Sequence, residues 1–284
     1  MTCQTHCGRG KMWRAAALLL VLACAWGCTA APAAPPQREI VVLAAASLSD
    51  ALEAAAVAYA AEQPDVRVTF NFAGSQQLAQ QIVNGAPADI FAPANSAQMQ
   101  AVVAAGRVAP ADVQPLAQNR LAVVTPPDNP GGITALRDLA TAGKKIVLAD
   151  AAVPAGRYAL EMLGQAAADP AYGAGFDRQV LANVVSYEES VRAVLTKVLL
   201  GEADAGVVYV SDVAAATAGA TSPALQVVAV PAALNIIATY PIAVVADSQE
   251  AQHAAAFVDF LLAPAGQAIL QDFGFEPVAA SAGR

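Results

Sequence analysis

From Glu39 onward the chain alternates short, continuous apolar runs with longer stretches in which apolar residues recur every three or four positions. The first pattern suits strands buried on both faces, and the second suits helices with one face on a core. Residues 40–45 predict a strand and 47–62 the helix after it, with Ser47 or Ser49 as N-cap and Pro64 as the stop. The alternation continues with strand 66–72, helix 75–83, strand 88–91, helix 96–105 and strand 120–125, which runs into a Pro-Pro-Asp-Asn-Pro-Gly-Gly loop. A second set follows: helix 134–141, strand 145–149, helix 157–167, a Gly-rich loop at 172–175, strand 184–185, helix 188–200 and strand 205–210. A short helix from Asp212, β-rich runs at 226–230 and 236–245, and helices 250–262 and 264–273 complete the chain.

Strands alternating with helices predict an α/β fold with open, mostly parallel sheets. Residues 120–125 and 239–245 are β-rich, lie next to prolines and read as crossings between two lobes. Lobe I then takes residues 39–121 with 241–284, and lobe II takes 122–240. In open α/β sheets a ligand sits beyond the C-terminal ends of strands, where the loops enter helices.

Hydrophobic residues make up 57% of the 284, but much of that is alanine. The later apolar stretches are interrupted by Asp212, by Pro231 and Asn235, or by Asp259, short of the ~18–20 residues that span a bilayer. Residues 1–28 have the layout of a secretory signal: Arg9, Lys11 and Arg14, then an apolar core at 15–23, then Cys24 and Cys28 before a Pro/Ala spacer at 29–38. The terminal cysteine suggests a bacterial lipoprotein acylated at Cys24 or Cys28, tethered to the outer face of a membrane with its folded part in water. Loss of this leader removes three basic and no acidic residues and takes the net charge from −8 to −11. That balance argues against nucleic-acid binding and leaves any anion to be attracted by a local site. All four cysteines lie in or at the leader, so the folded body has neither a disulfide nor a thiolate metal site.

Five segments read together as a cage for a tetrahedral oxyanion: residues 44–48, 72–75, 153–158, 190–192 and 206–209. Four fall at or near predicted helix starts, where backbone N–H groups lack intrahelical partners and the helix dipole favours negative charge. Ser47 and Ser75 each follow a strand and can donate a hydroxyl, and Gly74 lets the backbone approach closely. Pro154 and Gly156 leave the amides near Ala155 facing outward, Val191 lies in a first helical turn, and Tyr209 ends a strand with a neutral phenolic donor. Arg157 and Arg192 could approach an anion or lie on solvated faces. Enzyme readings find little support. His253 is the only histidine outside the leader, Asp89, Asp150, Asp204 and Asp212 are scattered, and no nucleophile elbow, phosphate loop or dinucleotide turn is present. Glu188-Glu189 reads as a pair of first-turn acids.

With those residues placed, the chain resembles the periplasmic molybdate-binding proteins of ABC transporters over nearly all of 39–275. The resemblance rests on Ala-Ala-Ser-Leu at 45–48, Phe-Ala-Gly-Ser at 72–75, Gly-Ala-Pro-Ala-Asp-Ile-Phe at 85–91 and Val-Pro-Ala-Gly-Arg-Tyr at 153–158. It continues through Ser-Val-Arg at 190–192, Gly-Val-Val-Tyr-Val-Ser-Asp at 206–212, Tyr-Pro-Ile-Ala-Val-Val at 240–245 and Phe-Gly-Phe at 273–275. It implies a two-lobed type II binding protein, a monomer without cofactor, that closes on molybdate or tungstate and passes it to a membrane permease. Ser47, Ser75, Ala155, Val191 and Tyr209 take the family's ligand positions, touching molybdenum only through its oxo groups. Gly74 and Gln76 depart from the small hydroxyl residues common there. Molybdate is a dianion that only accepts hydrogen bonds, and so is sulfate, which leaves a sulfate receptor on the same fold as the alternative. An enzyme of the same two-lobed architecture and a sensor without transport are the other classes.

Overall fold

The computed structural model describes residues 38–217 and 225–278. The leader, Cys24, Cys28 and most of the spacer lie outside them. Among the described residues nine strands form one continuous arrangement: β1 (Arg38–Ala45), β2 (Val66–Ala73), β3 (Ile90–Ala92), β4 (Gln114–Thr125), β5 (Ile146–Ala149), β6 (Val184–Glu188), β7 (Ala205–Tyr209), β8 (Gln226–Val228) and β9 (Ile237–Val244). Their order is β2-β1-β3-β9-β4-β7-β5-β6, with β8 alongside β4. β1 runs parallel to β2 and β3, and β5 runs parallel to β6 and β7. The two parallel sets are joined through β4 and β9, which are antiparallel to each other and to their outer neighbours. Parallel pairing is therefore confined to the outer sets.

The helices are α1 (Ser49–Glu62), α2 (Ser75–Val83), α3 (Ser96–Ala104), α4 (Pro154–Ala168), α5 (Phe176–Ala182), α6 (Val191–Leu199), α7 (Val210–Thr217), α8 (Ala251–Leu262) and α9 (Pro264–Asp272). β1 shows why its sequence is continuously apolar. Ile40, Val42 and Ala44 join the larger core with Leu52, Tyr59 and Phe257, while Leu43 points the other way, into a smaller core with Leu78, Ile82, Phe91 and Met99. Side chains alternate across a strand, so a strand covered on both faces needs apolar residues at every position.

Several expected boundaries move. Residues 134–141 form only a 3-10 turn, Leu136–Ala140, held by Asp138 Oδ2, which accepts from the amides of Thr134 (2.8 Å) and Ala135 (2.9 Å). α5 was not expected; it starts after Gly175, whose φ of 91° ends the Gly-rich loop. The strand expected at 184–185 continues to Glu188, and α6 starts only at Val191. Glu188 is thus a strand residue paired with Lys197 Nζ at 2.6 Å, not a first-turn acid.

Candidate oxyanion site

The ends of β1, β2 and β7 and the starts of α2, α4 and α6 converge on one small cavity of about 10 Å³. Its lining includes Ser47, Ser75, Ala155, Val191 and Tyr209, so the five sequence-predicted residues come together although they span 162 positions between Ser47 and Tyr209. Each is at most 4% exposed. Ala46, Ala73, Gly74, Ala94, Val153, Pro154 and Ser190 contribute most of the remaining wall. Among the described residues, no Lys, Arg, His, Asp or Glu lines it.

The two serines are held from behind. Ser47 lies in a 3-10 turn, Ala46–Leu48, and neither it nor Ser49 caps α1. Its Oγ lies 3.0 Å from Tyr240 Oη instead, and Ser49 Oγ donates to Asp50. Ser75 opens α2, and its Oγ accepts from the Ala94 amide at 2.9 Å. Ser75 accepts from Ala94, so its hydroxyl proton is left for another acceptor, whereas in the Ser47–Tyr240 pair either oxygen can be the donor.

Backbone amides supply the next layer. α4 begins at Pro154, three residues before the expected start, because proline is preorganised for the first helical position. Its first intrahelical bond joins the Arg157 amide to Val153 O at 3.0 Å, so the Ala155 and Gly156 N–H groups have no partner within the helix. Ser190 caps α6, its Oγ accepting from Ala193 N at 3.2 Å, and Val191 and Arg192 precede the first intrahelical bond, Val194 N to Ser190 O. Gly156 permits this packing: a Cβ there would stand 2.1 Å from Asp150 O and 2.3 Å from Ala149 O.

Tyr209 closes the cage. Its Oη is buried and makes no hydrogen bond of ordinary geometry, although the Tyr240 phenol is close enough to influence it. Burial, first of all, pushes its pKa well above the usual phenol value, so it remains a neutral donor. The Tyr209 amide donates to Asp212 Oδ2 at 3.0 Å. Arg192 does not face the cavity; it pairs with Asp50 and, through Nε at 2.9 Å, with Asp212 Oδ1. Arg157 is exposed and lies over the Tyr158 ring, 5.4 Å from its centroid. Neither arginine charge is directed at the cavity.

This neutral cavity can accept a small anion through hydroxyls, amides and a phenol, and it offers no general acid–base pair. The family pattern of bacterial extracellular solute-binding proteins matches residues 40–276. The chain belongs to this family. It is 39% identical over 248 residues to the molybdate-binding protein ModA of Mycobacterium tuberculosis, covering 86% of this chain and 87% of the relative. Among solved structures it is similar to the substrate-binding domain of a putative molybdenum ABC transporter from Clostridium difficile (30% identity, TM-score 0.63, 86% of this chain and all of that one). It also shares its fold with the sulfate-binding protein SubI of Mycobacterium tuberculosis (22% identity, TM-score 0.76, 86% and 88% coverage). The architecture is that of type II periplasmic binding proteins.

In this solute-binding protein the departures at Gly74 and Gln76 have a structural role. A Cβ on Gly74 would stand 2.4 Å from Glu189 O, and Gln76 Nε2 donates to that same oxygen at 3.1 Å. Gln77 Nε2 donates to Glu189 Oε2 at 3.1 Å. These bonds tie the start of α2 to the segment before α6, across the cavity. Sequence reasoning missed Ala94, whose amide holds Ser75, and Tyr240, behind Ser47. Ala94 carries no side-chain signal, and Tyr240 was visible only as part of a Tyr-Pro-Ile run.

Proposed function

We propose that the protein is an extracytoplasmic receptor that captures molybdate, or tungstate, and delivers it to the membrane subunit of an ABC permease. The observation that carries this reading is the lining of the cavity: buried, uncharged and rich in donors. Ser47 and Ser75 give hydroxyls, Ala155 and Val191 give amides, and Tyr209 gives its phenol. A dianion without protons fits such a lining, because every contact runs from protein to ligand. Each donor to a charged ligand is worth about 1.5–3 kcal/mol, so a handful of them binds tightly without a countercharge. A hydrogen phosphate would bring a proton that finds no carboxylate to receive it.

Capture goes with closure of two lobes, 39–121 with 241–284 against 122–240. The exchange of partners along β4 supports this division: residues 114–120 pair with β9, and 121–125 pair with β7 and β8. The receptor acts as a monomer, held at the membrane through an acylated Cys24 or Cys28, and performs no chemistry on its ligand. Equilibrium dialysis against molybdate, with molybdenum then quantified, tests the proposal. One molybdenum per chain, reduced by Ser75→Ala, is the expected result; folded protein that retains none refutes it.

A further inference from the structure

We propose that Tyr240 is a positioning residue of this cavity: its hydroxyl donates to Ser47 Oγ and so turns the Ser47 proton toward the bound anion. The proposal rests on the reading of the cavity as an oxyanion site. Tyr240 does not line the cavity. It sits in β9 with no exposed surface, its ring edge-on to Tyr209 (centroids 5.8 Å apart) and to Phe275 (5.4 Å). Ring packing on two sides fixes where its hydroxyl goes, and that place is 3.0 Å from Ser47 Oγ.

The distance alone allows either oxygen to donate. The ligand decides. Ser47 has one proton. If Ser47 gives it to Tyr240, an acceptor-only anion meets oxygen lone pairs and is repelled. If Tyr240 donates, the Ser47 proton is free for the anion, and the two hydrogen bonds in series polarise each other. Burial raises the Tyr240 pKa above the usual phenol value, so the proton it must donate is always present.

Ser75 shows the contrast. Its partner from behind is the Ala94 amide, which can only donate, so the Ser75 proton is available in every state. The two serines are therefore built differently. Ser75 is a donor by virtue of the backbone, and Ser47 is a donor by virtue of Tyr240.

A double-mutant cycle on the purified protein tests this, with molybdate affinity measured for wild type, Tyr240→Phe, Ser47→Ala and the double variant. Phenylalanine keeps the ring contacts and removes only the hydroxyl. Loss of one neutral hydrogen bond predicts about fivefold weaker binding for Tyr240→Phe in the wild-type background, and no further loss in the Ser47→Ala background. An equal loss in both backgrounds would mean that Tyr240 acts through packing and would overturn the proposal, as would unchanged affinity. Should Tyr240→Phe fail to fold, NMR on wild type gives the answer. The Tyr240 hydroxyl proton should show a cross-peak to the Ser47 β-protons and move downfield when molybdate is added; no shift, or an upfield one, overturns it. Folded wild type that binds no molybdate overturns the receptor reading along with this one, whereas binding with a flat cycle overturns this one alone.

Discussion

Arg192 Nε stands 2.9 Å from Asp212 Oδ1, and the same guanidinium pairs with Asp50. Through these contacts one side chain ties together three segments of the site. Asp50 follows Ser47 at the start of α1, Arg192 adjoins Val191, and Asp212 holds the Tyr209 amide through its other oxygen. The arginine that the sequence offered as a possible anion ligand is a brace for the neutral donors. Its charge is spent on two carboxylates, which keeps the cavity itself uncharged.

Asp212 makes stability depend on pH. It has no exposed surface, and burial pushes its carboxyl up to about 6 despite the pull of Arg192. The native state then binds a proton that the unfolded state releases, so stability falls as pH rises from about 4 to about 6 and levels off above. The full shift corresponds to roughly 3 kcal/mol. Asp212→Asn keeps an acceptor for the Tyr209 amide and removes the titration. Urea unfolding at stepped pH should show the wild-type curve declining relative to the variant through this window; parallel curves would mean that Asp212 does not titrate there.

Tyr209→Phe should separate binding from stability. The Tyr209 hydroxyl is buried without a hydrogen bond, so its removal leaves the melting temperature unchanged or higher. Loss of one donor to a dianion should weaken molybdate binding about 10- to 150-fold. Both tryptophans, Trp13 and Trp26, lie within residues 1–28, so in protein prepared without those residues tyrosine fluorescence reports the titration without background. Unchanged affinity would remove Tyr209 from the ligand set.

Gly156→Ala should damage fold and site together. The added methyl would meet backbone oxygens of Ala149 and Asp150, which no rotamer change can relieve. Overpacking of this kind costs about 1–3 kcal/mol, and the relief available is a shift of α4 that carries the Ala155 amide away from the cavity. Thermal unfolding should show the loss of stability, with affinity falling in parallel; a variant as stable as wild type would contradict this packing.

Much of this was legible in the sequence because apolar runs and helix starts are local signals. α2 has the expected bounds, Ser75–Val83, and the five residues picked at helix starts and a strand end all line one cavity. What was missed depends on partners far away. β4 is twelve residues long, and its first half is polar enough to hide until β9 pairs with it. α5 was concealed by the glycines before it. Ser47 looked like a cap because the distance to Tyr240, 193 positions away, cannot be read from residues 44–48. Arg192 looked available because its two carboxylates come from other elements.

The most direct test of the central claim is isothermal titration of the purified protein with molybdate, tungstate, sulfate and phosphate in turn. The account predicts tight, one-to-one binding of molybdate and tungstate, with sulfate and phosphate giving no heat of binding. Tight sulfate binding without molybdate binding would preserve the fold and overturn the assigned ligand, and silence from all four would contradict the oxyanion site itself.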